Sequence, residues 1–152
     1  MKPPTRPKPV TARDRVAALL QALGAKAAGL WRVRGDHLEL EAFVPAPDLP
    51  AEVAVAFAQA TRRVSLAQDD LGNVRAVNAG AVTVMVAAQI PAEAGSGFWL
   101  RAFGASRSVV VPLRAADGRV EAILSVALPS ADEPDDLAVA EVVRAHGASL
   151  LS

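Results

Sequence analysis

The chain has 152 residues, no cysteine, and sixteen Lys and Arg against sixteen Asp and Glu. A length of this order suits one domain able to bury roughly 70% of its unfolded surface, and the missing cysteines exclude disulfides, thiolate metal sites and thiol nucleophiles. Hydrophobic residues make up 52%, but no apolar run approaches the roughly 20 residues of a membrane span, and the scattered basic residues match no phosphate backbone. The sequence therefore reads as a cytoplasmic domain with neither a nucleic-acid nor a membrane partner.

Residues 1–10 are basic and proline-rich (MKPPTRPKPV), which predicts a disordered or polyproline-like arm and no secretory signal. Residues 11–152 then read as one domain. Thr11 and Asp14 stand at capping-box spacing before Val16, Leu19, Leu20 and Leu23, and Gly24 supplies a stop, so a helix is expected over 12–23. Residues 27–34 and 37–44 flank Gly35-Asp36, the pattern of a tight hairpin. In the second strand, alternation places Leu38, Leu40, Ala42 and Val44 on one face and His37, Glu39, Glu41 and Phe43 on the other.

After Pro45, Pro47 and Pro50 break the chain, Val53, Phe57, Ala60 and Val64 form a helical stripe predicting a helix over about 51–64. Leu71, Val74 and Val77 predict a second short helix, ended by Asn78-Ala79-Gly80. Residues 81–88 read as a strand and 96–103 as a short helix, while 106–113 and 119–128 form a hairpin about Ala116-Asp117-Gly118. Asp132, Glu133 and Pro134 open a last helix. The connections predict an antiparallel sheet of five strands, or of six if residues 88–93 supply a further edge strand.

This order resembles the GAF family of sensory domains, as does Ser108 to Leu113 (SVVVPL) followed by Asp117 to Val120 (DGRV) and Ala122 to Ala127 (AILSVA). Leu30 to Val33 with Gly35-Asp36 is similar to the family's first hairpin, and Arg75 to Gly80 to its helix-end glycine. Glu121-Ala122 stands where the family often has a glycine. The resemblance implies an α+β, profilin-like fold: a five- or six-stranded antiparallel sheet, the first and last helices on one face, and a cleft under the middle helices on the other. It implies no cofactor. The bilin-binding and methionine sulfoxide reductase branches need cysteines, which this chain lacks.

Residues that carry chemistry are few. His37 and His146, a strand start and a last-helix position, predict no metal site, and no His–Asp partner is assignable to Ser106, Ser108 or Ser125. The chain is accordingly expected not to be an enzyme. Phe98, Trp99, Arg101 and Phe103 form the one concentrated aromatic and basic cluster, on a helix that borders the cleft in GAF domains. A ring there would stack on a ligand while Arg101 paired with its carboxylate or phosphate; Asn78 and Ser108 are the further candidate ligand contacts. Val139, Val142, Val143, His146 and Leu150 form a stripe on the last helix that predicts a homodimer interface. The expected function is a regulatory domain sensing a small organic metabolite and signalling to a separate protein. The alternative is an interaction or dimerisation module with a filled cleft.

Overall fold

The computed structural model describes residues 10–151, so the expected arm lies outside them but for its last residue, Val10. The first helix, α1, runs over Ala12–Leu23. Both halves of the capping box form: the Thr11 hydroxyl accepts from the Asp14 amide, and the Asp14 carboxylate from that of Thr11. Gly24, at φ 59°, closes the helix by donating to the Leu20 and Gln21 carbonyls, a left-handed turn that glycine adopts without a Cβ penalty.

The remaining elements are β1 (Ala27–Arg34), β2 (His37–Pro45), α2 (Ala51–Ala60), β3 (Arg63–Ser65), α3 (Gly72–Ala79), β4 (Thr83–Val86), α4 (Gly95–Phe103), β5 (Arg107–Arg114), β6 (Val120–Leu128) and α5 (Asp136–Gly147). They form a six-stranded sheet of order β3-β2-β1-β6-β5-β4, antiparallel at every pairing. Period-two alternation divides the apolar residues between two layers. Leu30, Val109, Val111, Leu124 and Val126 pack with Val16 and Leu19 of α1 and Val139 and Val143 of α5. On the opposite face Trp31, Leu38, Val110 and Ile123 meet Phe57, Val74, Leu100 and Phe103 of α2, α3 and α4. Each fully buried aliphatic side chain contributes about 1.5–3 kcal/mol, so both layers are substantial cores.

Four expectations are corrected, the last of them at α5. Residues 61–64 are not helical: the Thr61 hydroxyl donates to the Phe57 carbonyl at 2.8 Å, the chain turns, and Val64 is buried as part of β3 opposite Leu38. That strand is the sixth; residues 88–93 carry instead the end of a 3-10 turn at Ala87–Gln89. In β2, Leu30 pairs with Ala42 but Trp31 with Leu40. Glu41 is thus a bulge residue, and a bulge reverses the side-chain phase. Leu38, Leu40 and Phe43 consequently face α2–α4, whereas Ala42 and Val44 face α1 and α5.

α5 begins later than the sequence suggested, where the Asp135 carboxylate accepts from the Ala138 amide at 2.8 Å. Its first turn is fixed by Arg107, whose fully buried side chain donates to Asp136 and to the carbonyls of Ser130 and Pro134. No helix among the described residues is long and apolar enough to cross a membrane.

Candidate functional site

Between the sheet and α2–α4 lies a cavity offering about 40 Å³ to the centres of water-sized molecules. A volume open to centres is smaller than the space that atoms there would fill, but it still restricts the cavity to a small ligand. Gly29, Ser108 and Ser125 form its floor, with Gly29 directly opposite Ser125. A Cβ on Gly29 would overlap the six-membered ring of Trp31, so glycine is what lets this indole lie against the sheet.

The walls follow from how the helices are tied. Trp31 Nε1–H donates to the Thr61 carbonyl at 3.0 Å, fixing the ring beneath the end of α2. Phe57 meets Trp31, Trp99 and Phe103 edge to face, at centroid separations of 5.9, 5.1 and 4.9 Å, a geometry that favours aromatic pairs. At the other side the Ser96 hydroxyl accepts from the Gly72 amide at 2.8 Å, and the Ser96 amide donates to the Asp70 carbonyl at 3.0 Å. These two bonds join the starts of α3 and α4, placing Asn73 and Ser96 on one cavity wall.

Asn73 and Ser108 are only 9% and 8% exposed. Neither they nor Ser125, which is only partly buried, makes a side-chain hydrogen bond to another group among the described residues; no polar side-chain atom among them is both fully buried and unpaired, so their free polar atoms keep some accessible surface. The lining residues include no ionisable side chain. An anion there would depend on the positive ends of α3 and α4, each worth about 2 kcal/mol at best, against several kcal/mol for burying an unpaired ion. The carboxyls held below their ordinary range are not among the lining residues: Asp36 by the hydrogen bond from His37, and Asp48 by that from the Lys26 ammonium.

Two of the five ligand residues expected from sequence, Trp99 and Ser108, line this cavity. Phe98 lies outside it, 46% exposed, in edge contact with Trp99. Asn78 is exposed at the far end of α3 and donates to the Leu66 carbonyl at 3.0 Å. Arg101 is also turned away, its guanidinium bound to the carbonyls of Gly97, Ala87 and Ile90 at 2.9, 2.6 and 3.3 Å. It fastens the segment before α4 to the helix. Arg101→Ala is expected to cost about 1 kcal/mol, the net value of a few partly exposed hydrogen bonds, read as a lower urea midpoint at unchanged slope.

Much of the stripe on the last helix packs within the chain's own core. Val139 and Val143 are fully buried and Leu150 nearly so, Val142 packs against the same cluster, and half-buried His146 sets Nδ1 2.9 Å from the Val142 carbonyl. Asn73, Trp31, Phe43 and Phe57 are cavity residues that the sequence did not single out.

No protein-family model matches the sequence, and no curated protein matches it. Solved structures do. A GAF domain from A. aeolicus in an inactive state matches at 10% identity over 89% of this chain and 76% of that one, with a TM-score of 0.64. The GAF domain of a two-component sensor histidine kinase from Bacillus halodurans matches at 11% identity, over 90% and 96%, with a TM-score of 0.59. The free methionine-R-sulfoxide reductase of Neisseria meningitidis, solved with its substrate, matches at 22% identity, over 88% and 72%, with a TM-score of 0.57. This reductase overturns the expectation that the chain is not an enzyme, since the scaffold from which that expectation was drawn also carries catalysis. With its six-stranded antiparallel sheet, two helices on one face and three over a cavity on the other, the chain has the GAF-like α+β fold.

Proposed function

We propose that the chain is a regulatory domain that senses a small molecule in the cavity under α2–α4. The observation that carries this reading is the convergence of Asn73, Ser108 and Ser125, polar and without protein partners among the described residues, on a space walled by aromatic rings. Such a combination of apolar walls and a few convergent polar groups suits a ligand site. The cover has one natural point of give: Phe57 is the only buried residue of α2, so lifting that ring would widen the cavity for a larger ligand. Along β5, Ser108 faces the cavity and Val109 the α1–α5 layer. Occupation of one face would therefore bias the packing of the other if the two states bind the ligand unequally.

A thermal-shift screen against a metabolite library tests this. A ligand at about a hundred times its dissociation constant stabilises by about 2.7 kcal/mol, which for a domain of this size raises Tm by about 5–10 °C. The expected hit keeps its full shift in Arg101→Ala and loses about a quarter to a half of it in Ser108→Ala, since one lost hydrogen bond weakens binding about three- to tenfold. A hit whose shift is undiminished in both Ser108→Ala and Asn73→Ala, or no hit at all, overturns the reading. The small cavity volume favours the second reading, an interaction module with a filled cleft, and that reading predicts the blank screen.

A further inference from the structure

Because no ionisable side chain among the described residues lines the cavity, we infer that its ligand is a small uncharged molecule presenting a carbonyl-type acceptor, an amide or a urea, rather than an organic acid or an amine. The inference rests on the sensing role proposed above and adds the chemical class of what is sensed. The polar side chains on the wall are those of Asn73, Ser96, Ser108 and Ser125, all neutral, and the first three are more than nine-tenths buried. Each can donate one hydrogen bond to an acceptor, and an asparagine or a serine can also accept from an N–H. An amide, which carries both kinds of group on one planar head, satisfies them together.

A full negative charge is not matched. The nearest positive features are the starts of α3 and α4, neither with a side-chain cap; the first amide of α3 already donates to the Ser96 hydroxyl, and the Ser96 amide to the Asp70 carbonyl. Asp69 and Asp70 immediately precede α3 and already set negative charge at its positive end. Arg101, the cation that sequence placed at the site, is held by three carbonyls away from the cavity.

A full positive charge fares no better. Recognition of a cation by rings needs an open aromatic face within about 6 Å. Here Phe57 stands edge to face with Trp31, Trp99 and Phe103, so the rings cover one another rather than form an open cage.

The test uses acetamide, acetate and acetamidinium, which share one planar shape and differ in charge. Trp31 and Trp99 are the only tryptophans in the chain and both line the cavity, so their two indole N–H cross-peaks in a proton–nitrogen spectrum report its occupancy. At constant ionic strength acetamide is expected to move both peaks, half-saturating at a concentration at least about tenfold below either ion, the minimum discrimination expected against burying an unpaired charge. Ser108→Ala is expected to weaken the acetamide response by about three- to tenfold, the loss of one hydrogen bond. Acetate or acetamidinium binding as well as acetamide overturns the neutral class while leaving a ligand in the cavity. Silence of both indole peaks with all three probes overturns the inference and the sensing role together.

Discussion

Gly29→Ala is expected to destabilise the domain by about 2–4 kcal/mol, the sum of overpacking a filled core and losing one buried hydrogen bond. Trp31 lies over Gly29, and an added Cβ would overlap its six-membered ring. The indole is 2% exposed and hydrogen-bonded to Thr61, so the only space it can shift into is the small cavity it lines. Displacing it breaks that bond and the edge contact with Phe57. For a domain of this length the melting temperature should fall by about 5–15 °C. The double variant Gly29→Ala, Trp31→Leu separates overlap from any strand effect of the substitution. If overlap is the cause, the two losses are strongly non-additive and the double variant is less impaired than the sum of the singles. Additive losses, or a Gly29→Ala variant within about 0.5 kcal/mol of the parent, the range of an ordinary surface change, would show that Trp31 does not need the glycine.

Local signals carried most of the fold. The Thr11–Asp14 box and Gly24 bounded α1, and both hairpins lie where their turn residues placed them. Errors arose where a tertiary feature imitated a local period. Val64 continued the spacing of Val53 and Phe57, yet it belongs to a strand, and no helix-period test distinguishes a buried strand residue that happens to fall in phase. The Glu41 bulge was likewise invisible, since alternation is read on the assumption that no residue is extra.

At the cavity, the alternation of β5 and β6 sufficed to turn Ser108 and Ser125 inward among apolar neighbours. The α4 cluster required the helical period to be applied within it. Trp99 and Phe103, four apart, face inward, whereas Phe98 and Arg101, three apart, face away. Treating the four as one patch assigned Arg101 to a ligand. Asn73 escaped notice because the stripe Leu71, Val74 and Val77 accounted for the inner face of α3, and nothing local marks a polar neighbour of that stripe as buried. The join between α3 and α4 through Ser96 decides it.

The buried ion pair at the start of α5 yields an asymmetry that inverts the usual expectation. Arg107 is fully buried while the Asp136 side chain is 52% exposed, so the two partners leave different things behind. Asp136→Ala strands a guanidinium in the core with only the Ser130 and Pro134 carbonyls for company. An uncompensated buried charge costs about 3–5 kcal/mol, and relaxation toward the nearby surface places the expected loss at the lower end, about 3. Arg107→Met replaces the guanidinium by an apolar chain of similar length. Asp136 and the exposed Pro134 can then return to water, and the expected loss is about 1–2 kcal/mol, that of ordinary hydrogen bonds. The smaller residue change at the more exposed position should therefore be the more damaging one. Adding Arg107→Met to Asp136→Ala should recover stability relative to Asp136→Ala alone, because the double variant has no charge left to bury. Urea midpoints at constant slope measure all three. An Arg107→Met loss larger than that of Asp136→Ala would mean that the guanidinium acts chiefly through its carbonyl bonds, which hold the turn before α5, and not through its charge.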